Sequence, residues 1–265
     1  MIKKTFKEKY GPWALVTGAS SGIGFEFAHQ LAALGLDLVL VARRKKRLDQ
    51  LAIELQKQYA IQCKVIPTDL SQSDFLSEIK KPTAVLEIGL LINNAGFGTT
   101  GELLENDLET EIKLLHVNCR APLILAHYFG KKMKNRKKGG IIFSASIVGF
   151  TAVPLWSNYA ASKAYDLFLA EALAHELKDQ GVDVLALCPG TTKAEFQEIA
   201  GTRMLMPMSA EAVVRRGLQK LGHTYVTIPG ILNRLNVLSI KLLPNTWSTR
   251  IFGRIIRTIR KTPGF

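Results

Sequence analysis

The chain has 265 residues, 47% apolar and 22% charged, so it can bury a sizeable core and is too apolar for a disordered polymer. Its net charge of +13 would suit a polyanion, but no basic sheet interleaved with aromatics and no binding motif goes with it, so nucleic acid is not an expected partner. Cys63, Cys119 and Cys188 are far apart and offer neither a disulfide framework nor metal-ligand spacing, which points to a reducing compartment and no metal.

The opening MIKKTFKEKY is basic but lacks the apolar stretch of a signal peptide. No run approaches the roughly 18 apolar residues of a spanning helix. A cytoplasmic protein, soluble or peripheral on a membrane, is expected. From residue 13 onward, short apolar runs alternate with longer amphipathic stretches. Strands are expected at 13–17, 37–42, 62–67, 89–93, 140–144, 182–188 and 225–228. Helices are expected at 22–35, 45–58, 71–80, 105–134, 157–179 and 209–221. Most of the strand runs are near-continuous in Val, Ile and Leu, as strands buried on both faces are. The pattern predicts an α/β fold, a Rossmann-like doubly wound parallel sheet of about seven strands with helices on both faces. One catalytic domain is expected over 1–230, with a basic amphipathic helical extension at 231–265.

The first strand runs directly into a turn whose glycines are Gly18, Gly22 and Gly24. Missing side chains there let backbone approach a pyrophosphate, and the helix that follows offers amide N–H groups and a positive dipole end. At the end of the second strand, where an NAD site usually carries an acidic residue, stand Arg43-Arg44-Lys45-Lys46-Arg47. Guanidinium groups can bind a 2′-phosphate in a bidentate way, so NADP(H) is the expected cofactor.

Tyr159 and Lys163 are four residues apart at the start of a helix and share one face. An ammonium beside a phenol favours the phenolate, so this Tyr can exchange a proton with a carbonyl or alcohol. Ser146, thirteen positions earlier, can hold the substrate oxygen. Asn118 lies inside the expected helix 105–134, where Asn is a mediocre helix former, which hints at a polar task.

These motifs together resemble the short-chain dehydrogenase/reductase family over roughly residues 10–230. The resemblance is carried by TGASSGIG at 17–24, Asp69, NNAG at 93–96, Asn118, Ser146, YAASK at 159–163 and PG at 189–190. It implies a tetrad of Asn118, Ser146, Tyr159 and Lys163. Tyr159 would be the acid/base, Ser146 the donor to the substrate oxygen, and Asn118 the holder of a relay water. Lys163 would bind the nicotinamide ribose. Implied cofactor contacts are Gly18, Ser20, Ser21, Gly22, Ile23, Gly24, Arg43 for the 2′-phosphate, Asp69 at the adenine, Asn94, Tyr159, Lys163 and Thr192. The branch with LVARR after the second strand looks like steroid and long-chain 3-oxoacyl reductases.

Phe97, Phe150, Leu155, Trp156, Phe196, Met204, Met206 and Met208 surround these motifs and suggest a small hydrophobic carbonyl or alcohol substrate. The expected function is NADP(H)-dependent hydride transfer with that substrate; a non-catalytic NADP(H) sensor or scaffold is the alternative. A homo-oligomer is expected. On a helical wheel, Ile251, Phe252, Ile255, Ile256 and Ile259 form one stripe and Arg250, Arg254, Arg257, Arg260 and Lys261 the opposite one. Such a helix lies on an anionic membrane surface or packs its stripe on protein.

Overall fold

The computed structural model describes residues 5–192 and 207–259. Its element order is α1 (Phe6–Tyr10), β1 (Trp13–Thr17), α2 (Gly22–Ala33), β2 (Asp37–Ala42), α3 (Lys45–Tyr59), β3 (Cys63–Pro67), α4 (Phe75–Thr83) and β4 (Ile88–Asn93). Then come α5 (Leu108–Leu115), a π turn (His116–Arg120), α6 (Ala121–Asn135), β5 (Gly139–Ser144), a 3-10 turn (Ile147–Phe150) and α7 (Ser157–Leu177). After β6 (Val182–Leu187) follow α8 (Ala210–Lys220), β7 (Val226–Thr227), α9 (Ile231–Leu242) and α10 (Asn245–Ile259).

The strands form one parallel sheet in the order β3-β2-β1-β4-β5-β6-β7. Every residue of β4 and β5 is buried, the reason their runs carry no polar residue before Asn93 and Ser144 at their ends. Two apolar clusters cover the two faces. One gathers Phe27, Leu31, Leu48, Leu55 and Val213 against alternate strand residues; the other gathers Phe75, Phe129, Met133, Leu167 and Ala170. Strand order reverses between β1 and β4, and a cleft opens beyond the strand ends at such a switch point.

The expected strands and helices are present, with shifted ends. Helix 71–80 begins at Phe75, and helix 105–134 begins at Leu108, where Asp107 caps Thr110 N at 2.9 Å. That long helix is also broken by the π turn, and Asn118 lies inside it. The short helix α1 escaped the sequence reading. Its signal was a capping box: Thr5 Oγ1 accepts from Glu8 N at 3.2 Å, and Glu8 accepts from Thr5 N. Of the expected extension, Ile231–Leu242 and Asn245–Ile259 are helical. They pack back onto the body through Val237, Ile240, Ser248 and Ile256, all buried.

Candidate active site

A cavity of about 370 Å³ opens over the ends of β1, β4 and β5. Its floor is the turn after β1, where Gly18 and Gly22 have φ of 68° and 57°, values that disfavour any side chain. A Cβ on Gly18 would lie 2.9 Å from Asn94 Nδ2, and one on Gly24 would overlap the Gly18 carbonyl. Gly24 therefore lets α2 press on the turn and does not line the cavity, in contrast to the contact expected of it. Ser20, Ser21, Gly22 and Ile23 do line it, with Arg43, Asp69, Asn94 and Thr192.

Ser21 is the N-cap of α2, yet its side chain makes no cap bond. Its Oγ accepts instead from Arg44 Nη2 at 2.8 Å, and Ser20 Oγ accepts from the same guanidinium at 3.0 and 3.2 Å. Sequence reasoning named Arg43 for a 2′-phosphate; the structure places both arginines on the cavity wall and ties Arg44 to the turn. The signal for Arg44 was present, since it follows Arg43 in the same basic run. Asn94 braces the strand ends: its Nδ2 donates to Thr17 O at 3.0 Å, and Ser144 Oγ donates to its Oδ1 at 3.3 Å. Asp69 accepts from Ser71 N and Ser71 Oγ at 3.0 and 2.9 Å.

Above this floor, α7 delivers Tyr159 and Lys163 on one face, both lining the cavity. Asn158 anchors the start of α7 by donating to Glu111 of α5 at 2.6 Å. The 3-10 turn lies so close to α7 that a Cβ on Gly149 would come within 2.7 Å of Lys163 O. A hydrogen bond joins Ser146 and Tyr159. Burial pushes the Tyr159 phenol above its ordinary range, while the Lys163 charge and the Ser146 hydrogen bond pull the other way. Burial is the larger influence and the net direction is upward, so the phenol keeps its proton, while Lys163 supplies the expected pull towards phenolate.

Lys163 Nζ donates to Ser144 O at 2.8 Å and to Asp166 Oδ2 at 3.0 Å. Asp166 was missed by sequence reasoning. It stands three residues after Lys163, a spacing that puts both on one helix face. Burial pushes its carboxyl up to about 6, opposed by the Lys163 charge. Burial by itself lowers Lys163, but Asp166 and Tyr159 reverse this, and the net direction is upward. The ammonium is thus kept charged beside Tyr159.

Asn118 does not line the cavity. It is fully buried; its Oδ1 accepts from Phe97 N at 3.1 Å, and its Nδ2 donates to Phe97 O at 2.9 Å and Ser162 Oγ at 3.0 Å. Its side chain is committed to locking the Gly96–Phe97 backbone, so the expected relay water would have to be held by something other than the amide group. Gly96 allows this closeness, since a Cβ there would lie 3.1 Å from Asn118 Oδ1 and 3.5 Å from Lys163 Nζ.

The apolar residues expected around substrate separate into three groups. Phe97, Leu155 and Trp156 pack on one cluster with Tyr159 and Val153, and Trp156 meets the Tyr159 ring edge-on at 5.7 Å. Leu155 holds a left-handed φ of 67°, fastened by Gly101 N donating to its carbonyl at 2.9 Å. Phe150 lies elsewhere, under Lys241 Nζ at 5.0 Å. Met208 accepts from Asn233 Nδ2 at 3.4 Å and packs on the other face of the sheet. Both depart from the expected pocket. Phe196, Met204 and Met206 lie outside the described residues, as do Arg260 and Lys261. Phe252 and Ile256 of α10 were not expected here, and they join the Tyr159 cluster.

The short chain dehydrogenase family matches residues 12–203. A 7beta-hydroxysteroid dehydrogenase of Clostridium sardiniense is 32% identical over 233 residues, covering 86% of this chain and 89% of that protein. A very-long-chain 3-oxoacyl-CoA reductase of Neurospora crassa is 36% identical, covering 81% of this chain and 66% of that protein. Among solved structures, a short-chain dehydrogenase of Sphingobium yanoikuyae in complex with NADPH superposes with a TM-score of 0.80 at 31% identity, covering 96% of this chain and 99% of that one. The chain thus belongs to the short-chain dehydrogenase/reductase family, and is an oxidoreductase acting on a CH–OH or C=O group.

Proposed function

We propose that the protein uses NADP(H) to interconvert a hydrophobic ketone and its alcohol, with Tyr159 as the acid/base. The observation that carries this reading is one cavity holding Tyr159, Ser146 and Lys163 at one end and the Arg44–Ser20–Ser21 contacts at the other. The residues fit a dinucleotide phosphate. Gly18 and Gly22 line the cavity at positive φ without a Cβ, the N-terminus of α2 is uncapped by Ser21, and the guanidinium groups of Arg43 and Arg44 lie on the cavity wall, able to bind a 2′-phosphate. When bound, such a cofactor supplies or takes up the hydride.

The chain's own groups manage the proton and the oxygen. Ser146 and Tyr159 line the same cavity and are joined by a hydrogen bond, and a substrate oxygen bound beside them would accept from both hydroxyls. Tyr159, held protonated by burial, gives its proton to that oxygen in the reducing direction. Lys163, kept charged by Asp166, stabilises the phenolate left behind. Phe97 and Trp156 line the cavity beside Tyr159 and give it an apolar wall.

NADPH is expected to bind at least about tenfold tighter than NADH, because a hydrogen-bonded guanidinium–phosphate pair contributes about 1.5–3 kcal/mol. Arg43→Glu should reduce or reverse this preference, and Arg44→Ala should reduce it. Fluorescence titration of both cofactors checks the point, and equal affinities in the native protein would refute it.

Substrate class has its own test. Turnover efficiency in a series of linear ketones is expected to climb with chain length by up to about fourfold per methylene, the yield of roughly 0.8 kcal/mol per buried CH₂. A preference for small polar sugars over decyl-length or polycyclic ketones would contradict the hydrophobic assignment.

A further inference from the structure

The helix α9 is apolar on two opposite sides. Val237 and Ile240 turn inward and are 3% and 7% exposed. Facing the other way, Ile231, Leu235, Leu238 and Leu242 recur at i, i+4, i+7 and i+11, each more than half exposed. A surface helix normally shows water its polar side, and here that side carries a leucine stripe. Arg234 and Lys241 lie along one flank of the stripe, both exposed.

Through Leu243 and Pro244 the chain passes into α10, where the apolar arc read from sequence divides. Phe252 and Ile256 pack on the Tyr159 cluster. Trp247, Ile251 and Ile255, one turn apart, stay 61%, 43% and 40% exposed. Arg250, Arg254 and Arg257 are exposed beside them. Together the two helices expose five cations, and no Asp or Glu occurs anywhere after Glu211.

The charge decides between occupants. A second copy of this face would bring five cations against five, with no carboxylate to separate them. A bilayer with anionic headgroups offers the opposite charge and an apolar boundary for Leu, Ile and Trp side chains. No helix among the described residues is long and apolar enough to cross a membrane. We propose that α9 and α10 dock the protein on an anionic membrane surface, with the leucine stripe and Trp247 entering the headgroup boundary and the cations pairing with lipid phosphates. Because α10 also supplies Phe252 and Ile256 to the Tyr159 cluster, the same helix separates lipid from the apolar side of the active site. Docking does not depend on the redox chemistry, and its test reads no activity.

The test is co-sedimentation of the full chain with vesicles of phosphatidylcholine alone or mixed with phosphatidylglycerol, at low and high salt. Binding is expected on the mixed vesicles only, and weaker at high salt. Arg250→Gln with Arg254→Gln should weaken it roughly thirtyfold, about fivefold per cation near an anionic surface. Leu238→Asp with Leu242→Asp should weaken it at least about tenfold. All four positions are exposed, and circular dichroism checks that the variants remain folded. No binding to mixed vesicles, or equal binding to both kinds, overturns the proposal. So does a leucine variant that keeps its vesicle affinity but changes from dimer to monomer in size-exclusion chromatography.

Discussion

Tyr159→Phe is expected to lower turnover by about a thousandfold while leaving NADPH affinity within a factor of about two. General acid–base catalysis by a placed group contributes roughly 10²–10⁴, and this substitution removes only the hydroxyl. The ring is buried against Trp156, Val153 and Val148, and Phe keeps that packing, so the fold has no reason to change. Ser146 would still hold a substrate oxygen, which should leave KM nearly unchanged and place the loss in kcat. Lys163→Ala is expected to harm both cofactor binding and turnover, because it would strip the proposed ribose contact and leaves the buried Asp166 without its ion-pair partner. A Phe variant that turned over at the native rate would require another acid. A native protein that bound NADPH but reduced no ketone would favour the sensor reading.

Asn118→Ala should destabilise the fold by about 3 kcal/mol, measured by urea denaturation. The substitution leaves Phe97 N and Phe97 O without the side-chain partner they have now and removes one of the two hydrogen bonds of Ser162 Oγ, and an unsatisfied buried polar group costs roughly 1–3 kcal/mol. The free backbone at Phe97 borders Gly96, which stands between Asn118 and Lys163. Turnover should therefore fall too, with the pH profile of the residual activity unchanged, because Asn118 positions and does not titrate. A variant as stable as the native chain would mean that water or a rearranged backbone replaces the side chain.

Much of the molecule is determined locally and was therefore legible in the sequence. The strands β1, β2, β4, β5 and β6 announce themselves because burial on both faces favours short runs rich in Val, Ile and Leu. The turn after β1 does so because close backbone approach demands glycine, and the four-residue spacing of Tyr159 and Lys163 follows from helix geometry alone. What needed the tertiary structure were choices made between distant segments. Asn118 faces Phe97 rather than the cavity because the π turn and the Gly96 backbone meet there. Arg44 reaches Ser20 and Ser21 because β2 lies beside β1, so the ends of two strands share one rim. Phe150 and Met208 look like pocket residues in sequence but pack elsewhere. Phe252 and Ile256 look like a tail stripe but close on Tyr159. A helical wheel shows which residues share a side of α10, but not where packing against Pro154 and Val153 divides that side between core and surface. That division depends on which neighbour covers the helix, and periodicity along one chain segment carries no information about the neighbour.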